Sequence, residues 1–167
     1  LSVSLDQLIQ NDCFGEDSAS IDISVAGGSG NYTFLWSNGA NTEDISNLPA
    51  GNYGVTVNDQ STSCQGTLNG ITITDPADLI VSVDSVRNAT CIGFTDGYAS
   101  VSVTGGTGTY SYLWSNGATT SAIDAVSDGV YTVSVTDANN CEATLNVTVG
   151  ADGTTNTAPI EIGRAHV

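Results

Sequence analysis

Apolar and polar residues alternate with a period of two along most of the chain. Leu1/Val3/Leu5, Ala19/Ile21/Ile23/Val25, Tyr53/Val55/Val57 and Ile71/Ile73 form one series of such runs. Leu79/Val81/Val83, Ala99/Val101/Val103, Tyr131/Val133/Val135 and Ala143/Leu145/Val147/Val149 form a second. In an extended chain successive side chains point to opposite faces, so each run predicts a strand with one buried face and Ser, Thr, Asp and Asn turned to water. No segment keeps a helical period. The runs break at Gly27-Gly28, Asn38-Gly39, Pro49-Ala50-Gly51 and Asp137-Ala138-Asn139-Asn140, all turn-forming sequences. Six or seven short strands in about 75 residues predict a small β-sandwich of immunoglobulin-like topology.

The two series are copies. Gly27-Gly28-Ser29-Gly30-Asn31-Tyr32-Thr33-Phe34-Leu35-Trp36-Ser37-Asn38-Gly39-Ala40 recurs as Gly105-Gly106-Thr107-Gly108-Thr109-Tyr110-Ser111-Tyr112-Leu113-Trp114-Ser115-Asn116-Gly117-Ala118, an offset of 78 residues. The same offset carries Cys13 onto Cys91, Tyr53 onto Tyr131 and Asp59 onto Asp137, and an offset of 77 carries Cys64 onto Cys141. An internal repeat of this length predicts two tandem domains. They are expected at 1–78 and 79–150, with a short connector at Asp75-Pro76-Ala77-Asp78 and a turn-rich linker or tail over 151–160. The last seven residues, Glu161-Ile162-Gly163-Arg164-Ala165-His166-Val167, match the translation of a common sequencing adapter and are expected to be an artefact of sequence assembly. The chain also opens inside strand-like sequence, which reads as a piece of a longer protein.

Composition narrows the function. There is no Met and no Lys, and 18 acidic residues against two arginines leave a net charge of −16. Such a surface repels phosphate backbones and anionic lipid headgroups, so no nucleic-acid partner is expected. No apolar run is long enough to span a bilayer as a helix, and no membrane insertion of this segment is expected. Catalysis is equally poorly provided for. The sole histidine is His166, and the glycine-rich loops lead into strands and no lysine, unlike phosphate-binding loops. Carboxylates such as Glu16/Asp17 and Glu43/Asp44 could in principle pair for hydrolysis, but Thr95 and Ala122 stand opposite Asp17 and Asp44 in the second copy. The chain is therefore not expected to be an enzyme.

Cysteines Cys13, Cys64, Cys91 and Cys141 form two equivalent pairs, and four cysteines permit three connectivities. A copied unit should close its own bridge, which favours Cys13–Cys64 and Cys91–Cys141. Each would close a loop of about 50 residues, worth roughly 4 kcal/mol in a chain-entropy model. Zinc is disfavoured by the lack of Cys-x-x-Cys spacing. Disulfides imply an oxidising compartment, so an extracellular, cell-surface location is expected. Trp36 and Trp114, each in a Tyr-x-(Phe/Tyr)-Leu-Trp strand, suit the sandwich core better than a sugar-stacking platform. Tyr53 and Tyr131 are expected in the core too, with a corner role for the hydroxyl. No cofactor is called for. Calcium is the one ion the acidic loops offer, through Asp59, Asp137, Asp75 and Asp78, although no Asp-x-Asp-x-Asp-Gly loop supports it.

The order Cys, Gly-Gly-x-Gly-x-Tyr-x-(Phe/Tyr)-Leu-Trp-Ser-Asn-Gly-Ala, Gly-x-Tyr-x-Val-x-Val-x-Asp, Cys resembles the SprB repeat, twice over about residues 1–150. It is also similar to PKD-like domains. Two departures stand out: Gly54 where a Thr is usual, and Asp128 in place of Ala50 of the first copy's turn. SprB repeats occur in tandem in very large surface adhesins of Bacteroidetes, including gliding-motility adhesins exported by the type IX system. The resemblance implies a structural or adhesive module, a spacer and binding surface whose partners are neighbouring repeats and an unidentified surface glycan or protein. The alternatives are a carbohydrate-binding module, or an accessory domain of a secreted hydrolase.

Overall fold

The computed structural model describes residues 1–153, and in these all regular structure is β. The 161–167 segment and most of the 151–160 tail lie outside the described residues. In the first copy the strands are β1 (Ser2–Ile9), β2 (Ala19–Ala26), β3 (Tyr32–Trp36), β4 (Ile45–Leu48), β5 (Gly51–Asp59) and β6 (Gln65–Ile73). In the second they are β7 (Ile80–Arg87), β8 (Gly97–Thr104), β9 (Ser111–Trp114), β10 (Ala122–Val126), β11 (Gly129–Thr136) and β12 (Glu142–Val149). The chain divides into two compact units, Leu1–Asp78 with Gly105–Thr107, and Leu79–Thr104 with the described residues from Gly108 on.

Each copy builds the same pair of antiparallel three-stranded sheets. The first has β1-β2-β4 and β3-β5-β6; the second has β7-β8-β10 and β9-β11-β12. This is the two-sheet arrangement of immunoglobulin-like sandwiches. Alternation produces the core directly. Ile21 and Ile23 of β2 face Trp36 of β3, Val55 and Val57 of β5, and Ile71 and Ile73 of β6 in one cluster. Val101, Trp114, Val133, Val135, Val147 and Val149 repeat it in the second copy.

The first strands depart from strict alternation. A bulge between Leu5 and Gln7 shifts the register of β1 against β2, and one between Val83 and Ser85 does so for β7. Beyond the bulge the inward positions change parity, so Leu8 packs on the core while Leu5 is left 41% exposed. The fourth strands carry no period-two signal at all. Ile45 and Leu48 are both buried, and so are Ile123 and Val126. A spacing of three becomes compatible with a strand because Asn47 and Ala125 take positive φ (55° and 54°), bulging the chain so that both ends point inward.

Candidate functional site

Strand direction decides the cysteines. Ile9 of β1 pairs with Ser20 of β2, so the loop holding Cys13 leaves the end of the sandwich opposite the Ser2/Ala26 pair. That loop is tied to the finish of β6: Gln10 bonds the Thr72 carbonyl and the Thr74 amide, and Asp75 accepts from the Asn11 side chain at 2.8 Å and the Gly15 amide at 3.1 Å. Cys64 precedes the start of β6, beside Gly66, where a Cβ would meet Val3 at 2.9 Å. The length of β6 separates the two cysteines, about 30 Å at strand rise, whereas a disulfide needs Cα atoms about 4.4–6.8 Å apart. The second copy repeats this: Cys141 precedes β12, while the segment before Cys91 is bonded to the chain that follows β12, Ala89 to Gly150 at 2.9 Å. The expectation of one disulfide closing each copy is met only in part. Cys13 and Cys141 are each disulfide-bonded, and Cys64 and Cys91 are free thiols.

At the hairpin end the Gly27–Asn31 loop folds over Asp59, which is only 1% exposed. Its carboxylate accepts from the Ser29 hydroxyl at 2.7 Å and amide at 2.5 Å, and from the amides of Ser61 and Thr62 at 2.8 and 3.2 Å. The Ser29 bonds first, then the two hairpin amides, hold its pKa well below the usual carboxylate range. Gly28 sits at φ +77°, and a Cβ there would collide with that carboxylate. The glycine-rich loop therefore wraps a buried aspartate. In the second copy buried Asp137 accepts from the amides of Asn139 and Cys141, each at 2.9 Å.

The four carboxylates considered for calcium are not gathered. Asp59 and Asp137 brace separate hairpins, and Asp75 braces the Cys13 loop three residues before Asp78. Among the described residues no group of three or more His, Cys, Asp or Glu is placed to hold a metal ion.

Trp36 and Trp114 are 2% and 1% exposed, and their indole N–H groups donate to the Thr42 and Thr120 carbonyls, both at 2.8 Å. Tyr53 donates to the Pro49 carbonyl at 2.9 Å, and Tyr131 to that of Ser127 at 3.0 Å. Each tyrosine ties its strand to the turn four residues upstream, and burial, then the charge of Asp17, raises the Tyr53 pKa.

Two features arise in the first copy alone. Asp22 on β2 has its pKa raised, first by side-chain hydrogen bonding towards Asp44, then by desolvation and the charges of Asp44 and Asp6. Ser100 and Ala122 occupy the equivalent positions, so the pair has no counterpart. The partners lie 22 residues apart in sequence and meet only through the β2–β4 edge, where Asp44 also accepts from the Ile23 amide at 3.1 Å. Sequence spacing offered no signal for them. The second feature is a bulge at Asn69-Gly70, where pairing slips from Tyr53–Ile71 to Val55–Leu68. Gly54 lies opposite, and a Cβ on it would strike the Asn69 amide oxygen, which accounts for the missing Thr. The bulge opens a shallow depression of about 450 Å³ lined by Leu35, Ser37, Asn52, Gly54, Asn69 and Gly70 among others. Pairing of β11 with β12 runs on without a slip. Asp128, the other departure, accepts from the Gly93 amide at 2.9 Å and braces the Cys91 loop.

Residues 10–41 and 83–119 match the SprB repeat. No curated protein matches the chain in sequence. Among solved structures it is similar to the three N-terminal domains of the highly immunogenic outer capsid protein Hoc of bacteriophage RB49, at 24% identity, a TM-score of 0.50, and coverage of 90% of this chain and 59% of that one. It is also similar to the C-terminal 282-residue fragment of intimin, solved with the intimin-binding domain of its translocated receptor, at 14% identity, a TM-score of 0.46, and coverage of 90% and 65%. The chain spans about three fifths of the length of these structures, and the likeness to Hoc is one of fold. Two segments similar to the SprB repeat thus fall in the same place on two copies of an immunoglobulin-like sandwich.

Proposed function

We propose that this chain is a structural and adhesive module of a large, extracellular cell-surface protein: a spacer that extends reach by repetition and offers its outer faces for binding. The observation that carries the reading is what the two copies share and what they do not. Both keep the buried tryptophan with its indole bond, the tyrosine bonded to its turn, and the hairpin aspartate. The Asp22–Asp44 pair and the Asn69-Gly70 bulge belong to the first copy. Duplication has retained a way of building a stable unit, and among the described residues no group of three or more His, Cys, Asp or Glu placed to hold a metal ion accompanies it. Repeats of this kind gain span and avidity by number. No catalytic role and no cofactor are assigned, and the neighbours in the polypeptide are its first partners.

The depression beside Asn52 and Asn69 supports a second reading, a weak glycan-binding patch confined to the first copy. Trp36 borders the depression, but neither tryptophan can serve as a stacking platform, because both indoles are buried. Surface display is tested with antibodies raised against the purified chain and applied to intact cells of the source organism. Labelling without permeabilisation, abolished by brief external proteolysis, is the expected result. Labelling that appears only after permeabilisation would overturn the assignment.

A further inference from the structure

The sequence holds three Asn-Gly pairs, Asn38-Gly39, Asn69-Gly70 and Asn116-Gly117. Asparagine before glycine is chemically labile, because the glycine amide nitrogen can close on the side-chain carbonyl with no Cβ in the way. In all three the glycine takes positive φ (+88°, +79° and +87°) and has open space where a Cβ would stand. What separates them is how the reacting groups are held.

Asn38 and Asn116 occupy the same turn in the two copies. Gly39 donates its amide to the Trp36 carbonyl at 2.9 Å, and Gly117 donates to that of Trp114 at 2.8 Å. The side-chain oxygens of Asn38 and Asn116 accept from the Ala40 and Ala118 amides, both at 3.1 Å. Nucleophile and electrophile are each bonded elsewhere, and both bonds must open before the ring can close.

Asn69-Gly70 is placed otherwise. The two residues form the β6 bulge, and the ladder passes from Ile71 to Leu68 without pairing either. Gly54, the residue opposite, turns its backbone to the other side: its carbonyl accepts from the Ser37 amide at 2.8 Å, and its amide donates to the Ser37 hydroxyl at 3.3 Å. Asn69 and Gly70 are both exposed, and among the described residues no hydrogen bond holds the Asn69 side chain. In the second copy Asn146 lies in an unbroken ladder opposite Thr132, accepts from its hydroxyl at 2.7 Å, and is followed by Val147. We propose that Asn69-Gly70 is a modification site of the first copy, at which the folded chain deamidates spontaneously to aspartate and isoaspartate while Asn38 and Asn116 persist.

Water is the only co-reactant. Hydroxide or water takes the proton from the Gly70 amide, whose nitrogen attacks Cγ of Asn69. The new C–N bond forms, the Cγ–Nδ2 bond breaks, and ammonia leaves. Water then opens the succinimide, at Cγ to give aspartate or at the main-chain carbonyl to give isoaspartate. The net change is one water consumed, one ammonia released and one carboxylate gained, with no oxidation or reduction. That carboxylate enters a depression whose lining residues are otherwise uncharged. The inference holds whether or not this face binds a glycan.

The full chain, purified at mildly acidic pH, is incubated folded at mildly alkaline pH and, in parallel, in guanidinium chloride. Chymotryptic peptides carrying Asn38, Asn69 and Asn116 are followed by mass, each event exchanging NH2 for OH, and fragmentation separates isoaspartate from aspartate. In the folded chain Asn69 should react about thirty times faster than Asn38 or Asn116, since two bonds of ordinary net strength guard each of those. In denaturant the three rates should converge. N69Q, checked for an unchanged melt, should keep its mass over the time Asn69 takes to react, and the wild-type comparison decides the matter even if that variant folds poorly. Equal rates at the three sites in the folded chain, the same spread of rates in denaturant, or a mass gain by folded N69Q on the wild-type timescale would overturn the proposal.

Discussion

Removing the hydroxyl of Tyr53 or Tyr131 isolates the tie between strand and turn in each copy. Tyr53 is 7% exposed and donates at 2.9 Å to the Pro49 carbonyl; Tyr131 donates at 3.0 Å to that of Ser127. Phenylalanine keeps the ring in the core and loses only the tie between strand and turn. One such bond contributes about 1 kcal/mol net, because the unfolded hydroxyl is bonded to water. A copy the length of Leu1–Asp78 unfolds with an entropy of about 0.16 kcal/mol per kelvin, so Y53F should lower the midpoint of its copy by about 6 °C. Y131F should do the same to the other copy, and the double variant should shift both. Calorimetry resolves or fits the components, and urea unfolding followed by tryptophan fluorescence should show a lower midpoint at an unchanged m-value. Shifts below about 2 °C in both copies, or a changed m-value, would refute the account of the corner as a local fastening in an otherwise intact core.

Two carboxylates should give the first copy pH dependences of opposite sign. Asp22, raised by its bond to Asp44, binds its proton more tightly folded than unfolded; D22S, which copies Ser100, should therefore stabilise at pH 7, with the gain fading as pH falls through the folded value towards about 3.9. Asp59, held low by Ser29, contributes fully above about pH 3.9 and loses that contribution only as pH falls through its lower folded value, so D59N should be destabilised at pH 7 and the deficit should close in strong acid. Thermal melts from pH 2.5 to 7 check both, and matching slopes for the two variants would contradict the assignments. Acrylamide should quench Trp36 and Trp114 far less than free indole, and added oligosaccharides should leave their emission unmoved; quenching at the free-indole level would show that the aromatic platforms are open after all.

The parts of this fold that were legible in the sequence are those where one residue's environment is set by its near neighbours. Alternation along β2, β5 and β12 is a local property, and burial of Ile21, Val57 or Val147 follows from it as soon as any second sheet covers that face. The bulges are local too, but their signal is ambiguous: Ile45-x-x-Leu48 has the spacing of a helical turn, and only positive φ at Asn47 turns it into a strand with two inward ends. The Asp22–Asp44 pair and the cysteine pairing were illegible for another reason, since both depend on which ends of which strands meet. The cysteine error is instructive because the information was present in coarser form. In an immunoglobulin-like sandwich the first loop and the last hairpin leave opposite ends, so assigning that topology already contradicts a bridge between Cys13 and Cys64. Treating the repeat as a unit that must close on itself hid the contradiction.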